Sequence, residues 1–209
     1  AMPPEKVSEC IRSVGIGFLF APMLHGAMKY AIGPRREIGI RTIFNILGPM
    51  TNPAGANVQL TGGFAPELTE TLAKVLLRLG MKRTLVVWGE GNMDEMTVTG
   101  ATHVADAHDG KVETYLVRPE DVGLRRAEFA EIRGAANPQE SASQVRNVLG
   151  GTPGARLDMV LLNAGAALMA AGRAATLRQG VDQAREVIQS GAALAKLAQL
   201  VAFCKKQQG

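Results

Sequence analysis

The sequence predicts an α/β protein in which helices flank a mostly parallel sheet. Short apolar runs, typical of buried strands, alternate with longer segments whose apolar residues recur at helical spacing. Glycine, proline and asparagine pairs separate these segments and end them. From residue 138 onward the pattern is helical. Strands and helices that alternate in this way favour a layered fold with a largely parallel sheet.

The first forty residues are predicted to form a helix, a strand and a second helix. The Pro3-Pro4 pair opens the first helix, and Gly15 ends it because glycine adopts the left-handed turn without a Cβ penalty. The continuous apolar run 16–20 predicts a strand that is covered on both faces. Residues 21–32 show looser helical spacing, which Gly33-Pro34 interrupts.

A short apolar helix, 43–47, is predicted to follow. Thr42 precedes it as a cap, because a threonine side chain can accept a hydrogen bond from a free N–H group of the first turn. The Gly48-Pro49 and Asn52-Pro53 pairs are predicted to stop this helix.

The remaining elements follow the same rules. An amphipathic helix that begins at Pro66 separates two predicted strands, 58–64 and 84–88. Asp109-Gly110 is a tight-turn signal that joins two strands, 102–107 and 111–117, into a hairpin. Four further helices are predicted, at 139–149, 156–171, 181–190 and 192–203.

Composition indicates a protein with a true hydrophobic core. Hydrophobic residues make up 46% of the 209 and charged residues 20%, which is typical of soluble globular proteins. The longest apolar runs are far shorter than a bilayer span, so we expect no membrane partner. Cys10 and Cys204 lack metal-binding spacing and are interpreted as reduced thiols of a cytoplasmic protein.

The charge balance does not by itself identify a ligand. The net charge is +4, aromatic residues make up only 4%, and the basic residues are scattered along the chain. Nucleic-acid-binding proteins usually cluster basic side chains and add stacking rings, so no nucleic-acid partner is expected. An anionic small-molecule substrate fits a mildly basic protein at least as well.

An acidic pair, Asp94 and Glu95, follows the predicted strand 84–88. In α/β folds ligands bind beyond the carboxyl ends of strands, and Mg²⁺ takes one or two carboxylates together with waters and substrate phosphates. A solvated acidic loop is the other interpretation. Gly89 and Gly91 favour function because they allow the loop to approach a ligand closely, and the residues alone leave the two readings balanced.

A basic cluster surrounds the Gly33-Pro34 break. An arginine just past such a break is well placed to hold a carboxylate by two hydrogen bonds. A solvated basic face explains most clusters of this kind, and Lys29 and Arg41 are assigned to it. The members of the cluster are His25, Lys29, Arg35, Arg36 and Arg41.

Familiar catalytic and phosphate-binding motifs are missing from the sequence. It contains no GxxxxGK[ST] and no GxGxxG after a strand. No Ser-His-Asp set is recognisable, because two of the three histidines, His103 and His108, belong to the predicted hairpin. No catalytic residue of the acid/base type is therefore identified.

The segment GPRREIGIRTIFNILGPMTNPAGA, 33–56, strongly resembles anthranilate phosphoribosyltransferases. The flanking FLFAP and AMK motifs and the MDE of the acidic pair occur in that family's order and spacing. The resemblance extends over nearly all 209 residues. It implies an α/β fold of the nucleoside phosphorylase/phosphoribosyltransferase type, with a remnant of a small helical domain. Residues 1–41 and 57–209 would form the α/β domain, and 42–56 a segment of the helical domain.

The resemblance also implies roles for individual residues. Arg35 matches the arginine that holds the carboxylate of anthranilate. Asp94 and Glu95 match the acidic pair that binds Mg²⁺ together with the diphosphate of phosphoribosyl pyrophosphate. Leu24 departs from the family, which has the first histidine of a His-His pair there. The positions that line the route of the aromatic acceptor are Ala21, His25, Met28 and Pro49.

The activity implied is that of a glycosyltransferase of tryptophan biosynthesis. It would transfer the phosphoribosyl group to anthranilate, release pyrophosphate, require Mg²⁺, and act in the cytoplasm as a homodimer. A pyrimidine nucleoside phosphorylase-like enzyme is one alternative, and a non-catalytic nucleic-acid-binding relative is another. The second would show binding that falls steeply with salt.

The family's N-terminal motifs do not occur in this sequence. These are the GTGGD loop that cradles the diphosphate and the Lys-His-Gly-Asn stretch beside the ribose. The chain is therefore expected to be the C-terminal portion of such an enzyme. On that basis we expect the isolated chain to be inactive and to cover exposed apolar surface by self-association rather than by the usual dimer.

Overall fold

A computed structural model gives the fold. It describes residues 2–20 and 47–206, together with residues 33, 37 and 39. The predicted helix at 21–32 and the predicted Thr42 cap lie outside the described residues. The described chain separates into two compact units, 1–55 with 195–209, and 56–194. The domain limits at 41 and 56 that the resemblance implies remain predictions.

The first unit contains helix α1, Pro4–Val14, as predicted. Gly15 ends it with a φ of 85° and donates its N–H to the Ile11 carbonyl at 3.0 Å. Val7 and Cys10 are buried, and the Cys10 thiol donates to the carbonyl of Ile16. Burial raises the pKa of the Cys10 thiol above its ordinary value, with Cys204 and Glu9 as further causes. Cys10 is a free buried thiol, which agrees with the predicted reduced state.

The predicted buried strand at 16–20 is wrong. These residues pair with no strand among the residues that the structure describes, and Phe18 is 70% exposed. An extended segment becomes a strand only when a neighbouring strand satisfies its backbone groups, and sequence pattern does not reveal whether that neighbour is present.

Helix α2, Leu47–Met50, continues past the point at which it was predicted to stop. The Gly48-Pro49 pair lies inside this turn, and Thr51 donates its N–H to the Gly48 carbonyl. The helix ends only before the Asn52-Pro53 pair, the second predicted stop signal. There the Asn52 side chain accepts a hydrogen bond from the N–H of Ala54. Proline is tolerated in a short helical turn because it removes only its own N–H.

The second unit is built on a mixed sheet. In the described part of the chain, four strands occur in the order β1-β2-β3-β4, with β1 and β2 parallel and the other two pairings antiparallel. Their bounds are Val58–Gly62, Arg83–Gly89, Thr102–His108 and Lys111–Val117.

The α/β class is confirmed, but the described sheet is mixed rather than mostly parallel. Parallel strands need a long crossover, which helix α3, Pro66–Arg78, supplies only between β1 and β2. The β3–β4 hairpin turns at Asp109-Gly110, whose φ values of 50° and 77° match the predicted tight turn.

Helices follow the sheet to the end of the described chain: a 3₁₀ helix Pro119–Val122, α4 Phe129–Ile132, α5 Pro138–Leu149, α6 Ala155–Ala170, α7 Leu177–Gln189 and α8 Ala192–Lys206. α7 begins earlier than predicted, because Thr176 caps it by accepting a hydrogen bond from the N–H of Gln179. The 3₁₀ helix and α4 were not predicted.

No single helix in the described ranges is long and apolar enough to cross a membrane, although α7 and α8 pass that test as a bent pair.

Both faces of β2 are covered. Leu85 and Val87 belong to one apolar cluster with Leu161 and Leu162 of α6, whereas Val86, which lies between them in sequence, is equally buried but outside that cluster. Alternate residues of a strand point to opposite faces, so the sheet has two packed sides. Helix α3 contacts β2 and β3, and α6 contacts β1 and β2.

Candidate functional site

The acidic pair lies in a closed loop, residues 90–101, that connects β2 to β3 and is called the acidic loop below. Gly89 and Met93 exchange two backbone hydrogen bonds, of 2.9 and 3.0 Å. Glu90 closes the far end, because its N–H donates to the Ala101 carbonyl and its carboxylate accepts from the Ala101 N–H. The loop is therefore held at both ends by its own hydrogen bonds.

Two side chains of the acidic loop anchor it in the core while the acidic pair stays outside. Met96 is 1% exposed and Val98 is fully buried, whereas Asp94 and Glu95 are exposed. Thr97 adds a local brace, because its N–H donates to the hydroxyl of Thr102. Partial burial of its carboxyl, and secondarily the charge of Asp94, raises the pKa of Glu95.

Two glycines allow the acidic loop to approach the strand ends. A Cβ on Gly62, the last residue of β1, would lie 1.8 Å from the carbonyl oxygen of Asp94. A Cβ on Gly89, the last residue of β2, would lie 2.7 Å from the carbonyl oxygen of Glu95. Only glycine permits such contacts. The acidic pair thus sits at the carboxyl ends of two parallel strands, where α/β folds bind ligands.

Asn163 of α6 holds the acidic loop from outside. Its side-chain oxygen accepts from the N–H of Met96 at 3.0 Å, and its amide nitrogen donates to the carbonyls of Met96 at 2.8 Å and Met159 at 2.9 Å. This residue was not predicted from the sequence. A usable signal was present, because asparagine is disfavoured within a helix and here interrupts the apolar run MVLLNAGAAL.

A groove of about 470 Å³ lies beside Glu95 and Asn163. Helices α4, α5 and α6 form its walls, which are mainly apolar. Arg156 supplies a positive charge at this groove and donates to the Arg133 carbonyl at 2.9 Å. The apolar residues that line the groove are Ile132, Val145, Val148, Leu149, Met159, Val160 and Ala164.

The acidic pair fits a hard cation that brings its other ligands with it. No group of three or more histidine, cysteine, aspartate or glutamate side chains that could enclose a metal occurs within the described ranges. Mg²⁺ does not need such a cage, because it keeps several waters and binds through one or two carboxylates plus substrate phosphates. Two adjacent exposed carboxylates on a braced loop match that requirement.

Four of the five residues predicted to bind the aromatic acceptor cannot be placed relative to other residues here. Ala21, His25, Met28 and Arg35 lie outside the described residues, as does Leu24. Pro49 lies in α2 of the first unit and is half-buried. Their roles stay predictions.

Comparison with known proteins finds similar proteins that are named anthranilate phosphoribosyltransferases. A family model described as the glycosyl transferase family, a/b domain, matches residues 1–194. The chain is 68% identical over 203 residues to the anthranilate phosphoribosyltransferase of Desulfotalea psychrophila, covering 97% of this chain and 58% of that protein. It is 53% identical over 202 residues to that of Moorella thermoacetica, covering 97% and 59%. The chain thus spans less than two thirds of the length of these relatives.

Solved structures agree with the sequence comparison. The crystal structure of anthranilate phosphoribosyltransferase from Thermus thermophilus matches with a TM-score of 0.90 at 44% identity, covering 97% of this chain and 60% of that one. The enzyme from Saccharomyces cerevisiae in complex with PRPP and Mg matches with a TM-score of 0.88 at 26% identity, covering 98% and 59%. The resemblance seen in the sequence is confirmed.

Proposed function

The chain belongs to the glycosyl transferase family, a/b domain, and from this premise we propose that the protein containing it is an anthranilate phosphoribosyltransferase. It transfers the phosphoribosyl group of phosphoribosyl pyrophosphate to anthranilate and releases pyrophosphate, in tryptophan biosynthesis. The anthranilate nitrogen forms a bond to C1 of the ribose and loses a proton. The bond from C1 to the pyrophosphate oxygen breaks, and its electron pair leaves with the pyrophosphate.

The acidic loop is the observation that carries this proposal. Asp94 and Glu95 are exposed side by side at the strand ends, on a backbone that Gly62, Gly89 and Asn163 hold in place. Such preorganisation suits a group that must meet the leaving diphosphate in one geometry. The 68% identity to a named anthranilate phosphoribosyltransferase, and the yeast relative's complex with PRPP and Mg, support the assignment.

The acidic pair would hold Mg²⁺ together with the diphosphate. When bound, the metal would supply positive charge that stabilises the negative charge of the departing pyrophosphate. Asp94 and Glu95 orient this end of the substrate, and their exposed side chains leave room for water and phosphate oxygens. No residue of this chain is assigned as a general acid or base.

The acceptor end of the site is proposed on the resemblance. Arg35 would hold the anthranilate carboxylate through two hydrogen bonds. Ala21, His25, Met28 and Pro49 would line the approach of the ring. We further propose that the protein acts in the cytoplasm as a homodimer, without nucleic-acid or membrane partners.

The proposal is tested with the intact protein. We expect phosphoribosyl transfer to anthranilate that depends on Mg²⁺, and a loss of orders of magnitude in turnover for Glu95→Gln with little change in thermal stability. Glu186→Gln, an exposed glutamate of α7, is the matched control and should leave turnover unchanged. Full turnover of Glu95→Gln at limiting Mg²⁺ would contradict the metal role of the pair and support the solvated-loop interpretation instead. Activity with thymidine or uridine plus phosphate instead of anthranilate would favour the nucleoside phosphorylase alternative.

A further inference from the structure

Asn163 binds the backbone of Met96 as a neighbouring strand would. Its amide accepts from the N–H and donates to the carbonyl of the same residue, at 3.0 and 2.8 Å. The Met159 carbonyl takes the second amide hydrogen at 2.9 Å. Both donors of the side chain and its oxygen are therefore used, and only one orientation of the amide satisfies all three contacts.

The hydrogen bonds from Asn163 to Met96 act directly on the position of Glu95. The N–H of Met96 belongs to the same peptide plane as the carbonyl of Glu95, so fixing that N–H fixes the plane on which Glu95 is mounted. The Met96 side chain is 1% exposed, and its backbone groups need protein partners there. Asn163 supplies them from an element that lies 67 residues further along the chain.

Helix α6 holds Asn163 rigidly in place. It packs against α7 at two glycines: a Cβ on Gly165 would lie 2.6 Å from the nitrogen of Val181, and one on Gly180 would lie 2.3 Å from the carbonyl oxygen of Gly165. Backbones in such close contact cannot slide past each other without a clash. Leu161 and Leu162, fully buried next to Asn163 in sequence, fix the rotation of α6.

We propose that Asn163 is a positioning residue for the carboxylate of Glu95, and that it sets the affinity of the acidic pair for a divalent cation. This inference rests on the proposed function. Asn163 acts through the Glu95–Met96 peptide. Residues that orient metal ligands in this way typically contribute about 10- to 100-fold in metal affinity.

The test measures binding of Mn²⁺ alone to the intact protein, by the water-proton relaxation enhancement of the bound ion. Asn163→Leu, which keeps the size and removes all three hydrogen bonds, should weaken Mn²⁺ binding by about tenfold or more. Asn163→Ala is the second variant; Asn163 lines the groove, so the smaller side chain leaves room there for water in place of the lost amide. It should weaken Mn²⁺ binding as well. Asn147→Leu, an exposed asparagine of α5, is the matched control and should bind Mn²⁺ like the wild type.

The Mg²⁺ dependence of turnover distinguishes a positioning role of Asn163 from a simple loss of folded protein. The KM for Mg²⁺ should rise in both Asn163 variants, while kcat at saturating Mg²⁺ changes much less. Unchanged Mn²⁺ binding, or a fall in kcat with an unchanged KM for Mg²⁺, overturns the inference and leaves the proposed function intact. A wild type that binds no Mn²⁺ overturns this inference alone, whereas a wild type that binds no Mn²⁺ together with full turnover of Glu95→Gln also overturns the metal role of the pair.

Discussion

Gly62→Ala should inactivate the site while leaving most of the fold in place. The added Cβ would lie 1.8 Å from the carbonyl oxygen of Asp94, whereas real Cβ atoms do not approach other atoms within 3.0 Å. The obstructing atom is backbone, so it cannot rotate away as a side chain would. The acidic loop must therefore shift by about 1 Å, and a misplacement of that size costs about 100-fold in rate.

The stability cost of Gly62→Ala should be small enough for the protein to stay folded, because whole domains are stable by about 5–15 kcal/mol. Gly62 ends β1 at an exposed position, so the strain can relax into the loop, and overpacking of this kind costs about 1–3 kcal/mol. The neighbouring Gly63 provides a matched control, because a Cβ there would meet its nearest atom, a methyl group of Thr69, at 3.4 Å, which is close to ordinary contact. Gly63→Ala should keep nearly wild-type turnover.

The assay measures phosphoribosyl transfer to anthranilate by the intact protein at several Mg²⁺ concentrations, with thermal unfolding of each variant in parallel. We expect kcat/KM to fall about 100-fold in Gly62→Ala and to change little in Gly63→Ala. Wild-type kcat/KM in a folded Gly62→Ala variant would refute the claim that the position of the acidic loop governs activity.

Two further predictions concern stability. Arg83 binds the buried carboxylate of Asp106 through two hydrogen bonds, of 3.0 and 2.6 Å. Arg83→Met should lower the free energy of unfolding by about 3 kcal/mol, because the carboxylate loses this charged partner while Tyr115 and His108 remain beside it. Urea unfolding checks this, with the exposed Arg78→Met as control; equal midpoints for the two variants would contradict it. The Arg125 guanidinium, helped by the backbone N–H of Glu128, lowers the pKa of Glu131 from 4.5 to about 2. The folded state therefore gains stability above pH 4.5 and loses it as the pH falls towards 2, so Glu131→Gln should flatten the acid side of a plot of Tm against pH, and an unchanged slope would count against the ion pair.

Local sequence signals determined most of the secondary structure. Gly15 ends α1, Pro66 begins α3, and Asp109-Gly110 turns the hairpin because these residues act on the backbone through contacts a few positions away. The acidic pair was also recognisable from sequence, since adjacent carboxylates after a buried strand form a local pattern. The distinctive segment 33–56 carried the family resemblance, and the comparisons confirm it.

Tertiary structure decided what depends on residues far apart in the chain. The run 16–20 has the composition of a strand but pairs with none among the described residues, because pairing requires a partner that composition does not specify. The mixed direction of the sheet follows from where each connection returns the chain. The roles of Gly62 and Asn163 arise only once β1 and α6 are packed against the acidic loop, since a close approach and a hydrogen bond are properties of distance in space, which sequence separation does not determine.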